Sequence, residues 1–309
     1  MEELKSNIQK IKDLEVQGAT NVAKFGLTSF NQYVKTLDIT SRDEFLTKIE
    51  EANYLLRKIR PTEPCLRNGL QCVMNKAKKI LTDQVDTLKY AIDKNIETFI
   101  RFLSKANEKI AKYGARRIVD NSTILTHCHS SAVVEILKMA YNDRKNIKVI
   151  VSETRPLFQG RKTAKELSDI GIETTMIVDS AMRWIVRHKP IDLILIGADS
   201  ITVEGTVLNK IGSKLLALVA EENNIPFYVA ATMLKYNPDS AFGDLEIIEM
   251  RNEKEIWNEP PSSLKILNPA FETISRDLIS ALITEIGVFP PVLISEKFEY
   301  YYPFLIETI

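Results

Sequence analysis

The sequence is poor in cysteine, histidine and glycine, and it carries no excess charge of either sign. Its three cysteines (Cys65, Cys72 and Cys128) are too few and too unevenly spaced for a disulfide framework. The expectation is a cytoplasmic protein with reduced thiols. Lysine plus arginine and aspartate plus glutamate both number 41 among the 309 residues. That balance gives no reason to expect a nucleic-acid or membrane partner, and it leaves room for a local basic pocket. No apolar run approaches the roughly 20 residues of a spanning helix. The opening MEELKSNIQK lacks the apolar centre of a signal peptide. Glycines number 11, and no G-x-G-x-x-G follows an apolar run, so a dinucleotide role has no support.

What is present falls into two textures. Up to about Arg117 the periodicity is helical: FLTKIEEANYLLRKI and LKYAIDKNIETFIRFL repeat apolar residues at spacings of three and four. DITSRDEFL offers Thr40 or Ser41 as a helix cap with acidic residues just behind it. Residues 1–117 therefore read as a helical domain of ordinary size.

Beyond YGARRIVDNS the β-like runs TILTH, IKVIVSE, TTMIVDS, IDLILIGAD and PFYVAAT alternate with helical ones. Such alternation marks βαβ units in a parallel sheet covered by helices. VIV, LILI and YVAA are continuous apolar runs, as in strands buried on both faces. The expected class is α/β, an N-terminal helical domain followed by a Rossmann-like, mainly parallel sheet domain over 118–309. The tail, from NPAFETISRDLISALITEIGVFPP onward, is expected to add a helix and to pack back on the sheet.

Ligands of such sheets gather outside the carboxyl ends of the strands. That draws attention to HCHSS (127–131), ETRP (153–156), DS (179–180), GADS (197–200) and ATMLKYNP (231–238). Cys128 is either a small buried hydrophobe or a reactive thiol. Its place between a strand and a helix N-terminus, with an imidazole on each side, favours the thiolate. A zinc site is disfavoured, because neighbouring strand residues alternate faces and His127, Cys128 and His129 cannot converge on one ion. Asp199, after LILIG, either caps a loop or transfers protons. Asn209 and Lys210, read as a helix start, suit a phosphate, and so do Gly18, Ala19 and Thr20 before a helical pattern. Arg60, ahead of two prolines, is placed for bidentate phosphate contact, although capping and surface arginines are everyday structure.

GATN, RPT, THCHS, ETRP…GRKTAKEL, GADSITVEGTVLNKIGS and KYNP, in this order, resemble one superfamily. It contains the alpha, beta and delta regulatory subunits of translation initiation factor 2B, methylthioribose-1-phosphate isomerases and archaeal ribose-1,5-bisphosphate isomerases. The resemblance runs from about Gln17 to GVFPP and is closest to the last of these branches. It implies conversion of ribose 1,5-bisphosphate to ribulose 1,5-bisphosphate without metal or other cofactor, with AMP as an activator. In the reaction so implied, ring opening frees a C1 aldehyde, Cys128 removes the C2 proton and Asp199 handles the proton on oxygen. Gly18, Ala19, Thr20 and Arg60 would hold one end of the substrate. Ser130, Ser131, Asn209, Lys210 and Lys235 would contribute to the rest. Dimers assembled into hexamers are implied as well. Two positions depart from the pattern: Gln17 stands where the family has arginine, and Ser131 where some relatives have lysine. They keep open a methylthioribose-1-phosphate isomerase, and a non-catalytic subunit that associates with initiation factor 2.

Overall fold

The computed structural model describes residues 1–60, 62–242 and 248–305. The chain divides into two compact units. The first holds the described residues of Met1–Lys105, Leu234–Tyr236 and Phe298–Ile309, and the second those of Ala106–Met233 and Asn237–Lys297.

The first unit is helical: α1 (Glu2–Lys12), α2 (Ala19–Thr36), α3 (Arg42–Arg57), α4 (Pro64–Lys78) and the start of α5 (Val85–Ala115), inside which the division falls. Ser41 caps α3, its hydroxyl accepting from the Glu44 N–H at 3.5 Å. Pro64 opens α4, where a missing N–H costs nothing; Pro61, the other proline of KIRPTEP, lies outside the described residues. The apolar stripes legible in the sequence meet in a core that includes the fully buried Leu27, Phe30, Phe45, Ile49, Leu70 and Ile92. A Cβ at Gly26 would come within 2.7 Å of Leu66, so glycine is what lets α2 lie close against α4.

The second unit is built from β1 (Thr123–Thr126), α6 (Ser131–Asn142), β2 (Lys148–Ser152), α7 (Gln159–Asp169), β3 (Glu173–Ile177), α8 (Met182–His188) and β4 (Leu193–Ile196). The chain continues through β5 (Ser200–Thr202), β6 (Val207–Lys210), α9 (Ser213–Glu222), β7 (Phe227–Ala230) and the short β8 (Tyr236–Asn237). It ends with β9 (Phe271–Ile274), β10 (Ala281–Thr284), β11 (Gly287–Phe289) and the start of α10 (Ile294–Tyr301), inside which the division falls again. Among the described residues, seven strands form one sheet in the order β11-β10-β7-β4-β1-β2-β3, parallel apart from β11. All five β-like runs named from sequence are strands of it. Its inner strands are buried on both faces: LILI of β4 has no exposed position.

The tail carries the expected helix, α10, and joins the sheet, and it adds three strands that the expectation did not include. NPAFETISRDLISALITEIGVFPP itself contributes β9, β10, β11 and a single 3-10 turn at Arg276–Leu278, and the α-helix follows as α10. β10 pairs parallel with β7, and β9 pairs antiparallel with β6 outside the main sheet. The segment SITVEGTVLNK is likewise a hairpin, β5 against β6, so Asn209 and Lys210 end a strand and do not start a helix.

From β1 the chain builds outward through β2 and β3 on one side, then through β4, β7 and β10 on the other. The direction of winding therefore reverses between the adjacent strands β1 and β4. In open α/β sheets the ligand crevice lies at that switch point, outside the carboxyl ends. The residues leaving those two ends are 127–130 and 197–199.

Candidate active site

Cys128 follows β1 by two residues and has a left-handed backbone, φ 66°. For a non-glycine residue that conformation costs about 1–2 kcal/mol, so other groups must hold it. Two threonines do. The Cys128 N–H donates to Thr154 Oγ1 at 2.9 Å, and the Thr163 hydroxyl donates to the Cys128 carbonyl at 2.9 Å. Thr154 is itself left-handed, φ 62°, with its own N–H and that of Arg155 donated to the two Asp179 oxygens at 2.8 and 2.7 Å. The turns after β1, β2 and β3 are thus tied into one frame around the cysteine.

The thiol of the half-buried Cys128 is pushed up to about 11 by burial; the Lys210 ammonium opposes the shift, and the carboxylates of Asp199 and Asp179 add to it. The expectation of a thiolate favoured by the α6 dipole is therefore corrected. Desolvation outweighs the helix end, and at neutral pH the group is a thiol. Asp199 and Lys210 both bear on this sulfur, as the switch-point geometry requires. The half-buried Asp199 is fixed through its N–H, which donates to the Leu208 carbonyl at 2.9 Å. The Lys210 ammonium lies over the Phe271 ring, 4.6 Å from its centroid.

His127 and His129 flank the thiol in different ways. His127 is 2% exposed; Nε2 lies 2.8 Å from the Ile211 carbonyl and Nδ1 lies 2.5 Å from Ser152 Oγ. His129 Nδ1 lies 3.0 Å from Thr163 Oγ1. That hydroxyl already spends its hydrogen on the Cys128 carbonyl, so it accepts from the ring. Burial holds both imidazoles below their usual pKa. Among the described residues, no three His, Cys, Asp or Glu side chains are gathered as a metal set.

The remaining sequence candidates are placed as follows. Ser130 is the N-cap of α6, accepting from the Val133 N–H at 3.5 Å, and Ser131 is the exposed first residue of that helix. Asn209 is buried, and its amide donates to Ser213 Oγ at 2.9 Å. The N-terminal amides of α9, expected as a phosphate cradle, are taken by the protein itself: Glu272 Oε1 accepts from Gly212 and Lys214 at 2.6 and 2.9 Å. In the first unit, Gly18 caps α2 with no side-chain cap, leaving Ala19 and Thr20 at the helix start. Gln17 turns back to donate to the Leu14 carbonyl at 3.0 Å. The half-buried Arg60 is ion-paired with Glu63 at 2.9 Å. The half-buried Lys235 is bracketed by the Asn68 amide, which donates to the carbonyls of Leu234 and Tyr236 at 2.8 and 2.9 Å.

Sequence reasoning missed Ser152, Thr154, Thr163, Glu272 and Asn68 as site-supporting groups. ETRP and GRKTAKEL contain the two threonines, and a hydroxyl after a strand end was the available signal. Glu272 and Asn68 act across 60 and 166 residues of chain and leave no local trace.

A family model described as the Initiation factor 2 subunit family matches residues 15–291. The chain belongs to that family. Within it the chain is an isomerase of the sugar-phosphate branch, on the likeness to archaeal proteins named ribose 1,5-bisphosphate isomerase at 32–39% identity. That of Methanocaldococcus jannaschii is 38% identical over 94% of this chain and 92% of its own length. A protein named methylthioribose-1-phosphate isomerase, from Thermotoga petrophila, is 34% identical over 91% of this chain and 84% of its own. Among solved structures, the Pyrococcus horikoshii OT3 translation initiation factor eIF-2B is 30% identical with a TM-score of 0.81, covering 94% of this chain and 98% of that one. No helix among the described residues is long and apolar enough to cross a membrane.

Proposed function

We propose that the protein converts α-D-ribose 1,5-bisphosphate to ribulose 1,5-bisphosphate, with Cys128 and Asp199 exchanging protons and neither metal nor nucleotide as cofactor. The observation that carries the reading is the strand-end thiol that lies under the influence of both Asp199 and Lys210. The 38% identity to the M. jannaschii isomerase supports the substrate.

The chemistry refines the implied route. Because O1 carries a phosphate, ring opening cannot leave a free aldehyde. Asp199, protonated by transfer from the Cys128 thiol, gives its proton to the ring oxygen O4, and the C1–O4 bond breaks. The thiolate takes the C2 proton, leaving a C1–C2 enol that bears the phosphate on O1. Asp199 then accepts the proton of the C2 hydroxyl, and the thiol returns a proton to C1. The ketone forms, and transfer of the proton from Asp199 back to the thiolate restores the resting thiol and carboxylate. A thiol of high pKa is a strong base once ionised, and exclusion of water keeps it so. Gly18, Ala19, Thr20 and Arg60 are proposed for one phosphate, and Ser130, Ser131, Asn209, Lys210 and Lys235 for the rest of the substrate. Activation by AMP and assembly into dimers or hexamers belong to the same proposal.

The test is formation of ribulose 1,5-bisphosphate by purified protein, with and without AMP. Cys128→Ser should lower kcat by a factor of about 100 or more. No turnover by the wild type, or undiminished turnover by Cys128→Ser, overturns the reading. Gln17 motivates a second one: its amide, turned back on Leu14, brings no charge to a phosphate. A one-phosphate substrate such as methylthioribose 1-phosphate would then be preferred, which direct competition between the two sugars decides.

A further inference from the structure

The buried His127 sits where two parts of the site meet, and its hydrogen bonds fix its chemical form. The Ile211 carbonyl can only accept, so Nε2, at 2.8 Å, carries the hydrogen. Burial disfavours the imidazolium, so Nδ1 is bare and accepts from the Ser152 hydroxyl at 2.5 Å. Ser152 continues the chain through its carbonyl, which accepts from the Thr154 hydroxyl at 3.3 Å, and Thr154 Oγ1 accepts from the Cys128 N–H. One directional series of hydrogen bonds therefore joins the backbone of Cys128 to Ile211, the residue next to Lys210. Gly212 completes the fit, since a Cβ there would lie 3.0 Å from the imidazole edge.

We propose that His127 is a positioning residue: as the neutral Nε2–H tautomer it pins the Lys210–Gly212 segment against the Cys128 turn and sets the reach of the Lys210 ammonium to the thiol. No protonation step is asked of it. The charged groups bearing on the thiol are Lys210, Asp199 and Asp179, and those bearing on the imidazole are Asp179, 4.0 Å from Nδ1, and Lys210. Loss of the Nε2 donor would release the Ile211 carbonyl, leaving the segment to β9 and Glu272 and the ammonium less closely set toward the thiol, while the cysteine would keep its threonines.

The consequence for kcat rests on the isomerase reading, and the thiol chemistry does not. The experiment is a double-mutant cycle on the rate of Cys128 carboxamidomethylation by iodoacetamide at pH 8–9, followed peptide by peptide because Cys65 and Cys72 are buried. In the wild-type background Lys210→Met should slow alkylation about tenfold, one unit in thiol pKa. In His127→Leu the same substitution should change it less than about twofold. His127→Gln keeps an amide N–H toward Ile211 and should restore most of the Lys210 dependence. An equal Lys210→Met factor in wild-type and His127→Leu backgrounds overturns the proposal, and so does a His127→Gln variant as indifferent to Lys210 as His127→Leu. If the wild type turns over ribose 1,5-bisphosphate, kcat should fall in His127→Leu with KM changed less, and recover in His127→Gln. If no sugar phosphate is turned over, the function falls while the cycle still decides the role of His127.

Discussion

At Gly197 the site depends on an absent side chain. A Cβ there would lie 2.6 Å from Ser130 Oγ and 2.7 Å from its Cβ, so the turn after β4 can pass the N-cap of α6 only as glycine. Gly197→Ala should cost about 1–3 kcal/mol, read by urea unfolding. Ser130→Gly removes both clashing atoms at a helix position where glycine is tolerated. In that background the penalty should shrink by about 1 kcal/mol or more. Strictly additive costs would show that this close approach is not what demands glycine. Cys128 and Asp199 were legible in the sequence because each follows an apolar run, and strand ends collect function. The protonation state of Cys128 was not, because burial depends on neighbours that the chain supplies from three other strands. Alkylation of wild-type Cys128 should accordingly be slow at pH 7 and rise about tenfold per pH unit toward a midpoint near 11. A plateau already at neutral pH would restore the thiolate.

Among the elements, α9 shows how a helix end can be spoken for by the fold. Glu272 on β9 stands opposite Asn209 on β6 and places one oxygen on two N-terminal amides of α9. A carboxylate there satisfies the amides and complements the dipole. Glu272→Ala should cost about 1–2 kcal/mol of stability, and an unchanged urea midpoint would contradict that role. Asn68 serves Lys235 similarly within the helical unit. Asn68→Ala loses two hydrogen bonds to the carbonyls flanking that lysine, at about 1–3 kcal/mol by denaturation. The five strands named from sequence were legible because continuous β-branched runs bounded by turns have few other fates. The tail was not. Its apolar residues Phe271, Ile274, Leu278, Leu282 and Ile283 fit spacings of three and four as well as short strands. What decides is pairing with β6 and β7, whose partner residues lie 53 to 67 positions earlier.

For the whole molecule, the same buried groups set the pH range of stability. His127 and His129 are held below the usual 6.5 by burial. In the unfolded chain they take up protons as pH falls through 6.5, while the folded protein resists. The unfolded state then binds more protons, and folding stability drops with acidification. On the alkaline side Cys128, about 11 in place of 9.0, and Cys72, also raised by burial, stay protonated when the unfolded chain ionises. There the folded state binds more protons, and stability falls as pH rises from 9 toward 11. The thermal midpoint should therefore be flat between about pH 7 and 9 and decline on both sides. Cys128→Ser should shallow the alkaline limb and leave the acid one, and His127→Gln should do the reverse. A midpoint that rises between pH 6.5 and 5, or an alkaline limb indifferent to Cys128→Ser, would mean that these groups do not carry the burial cost that the fold assigns to them.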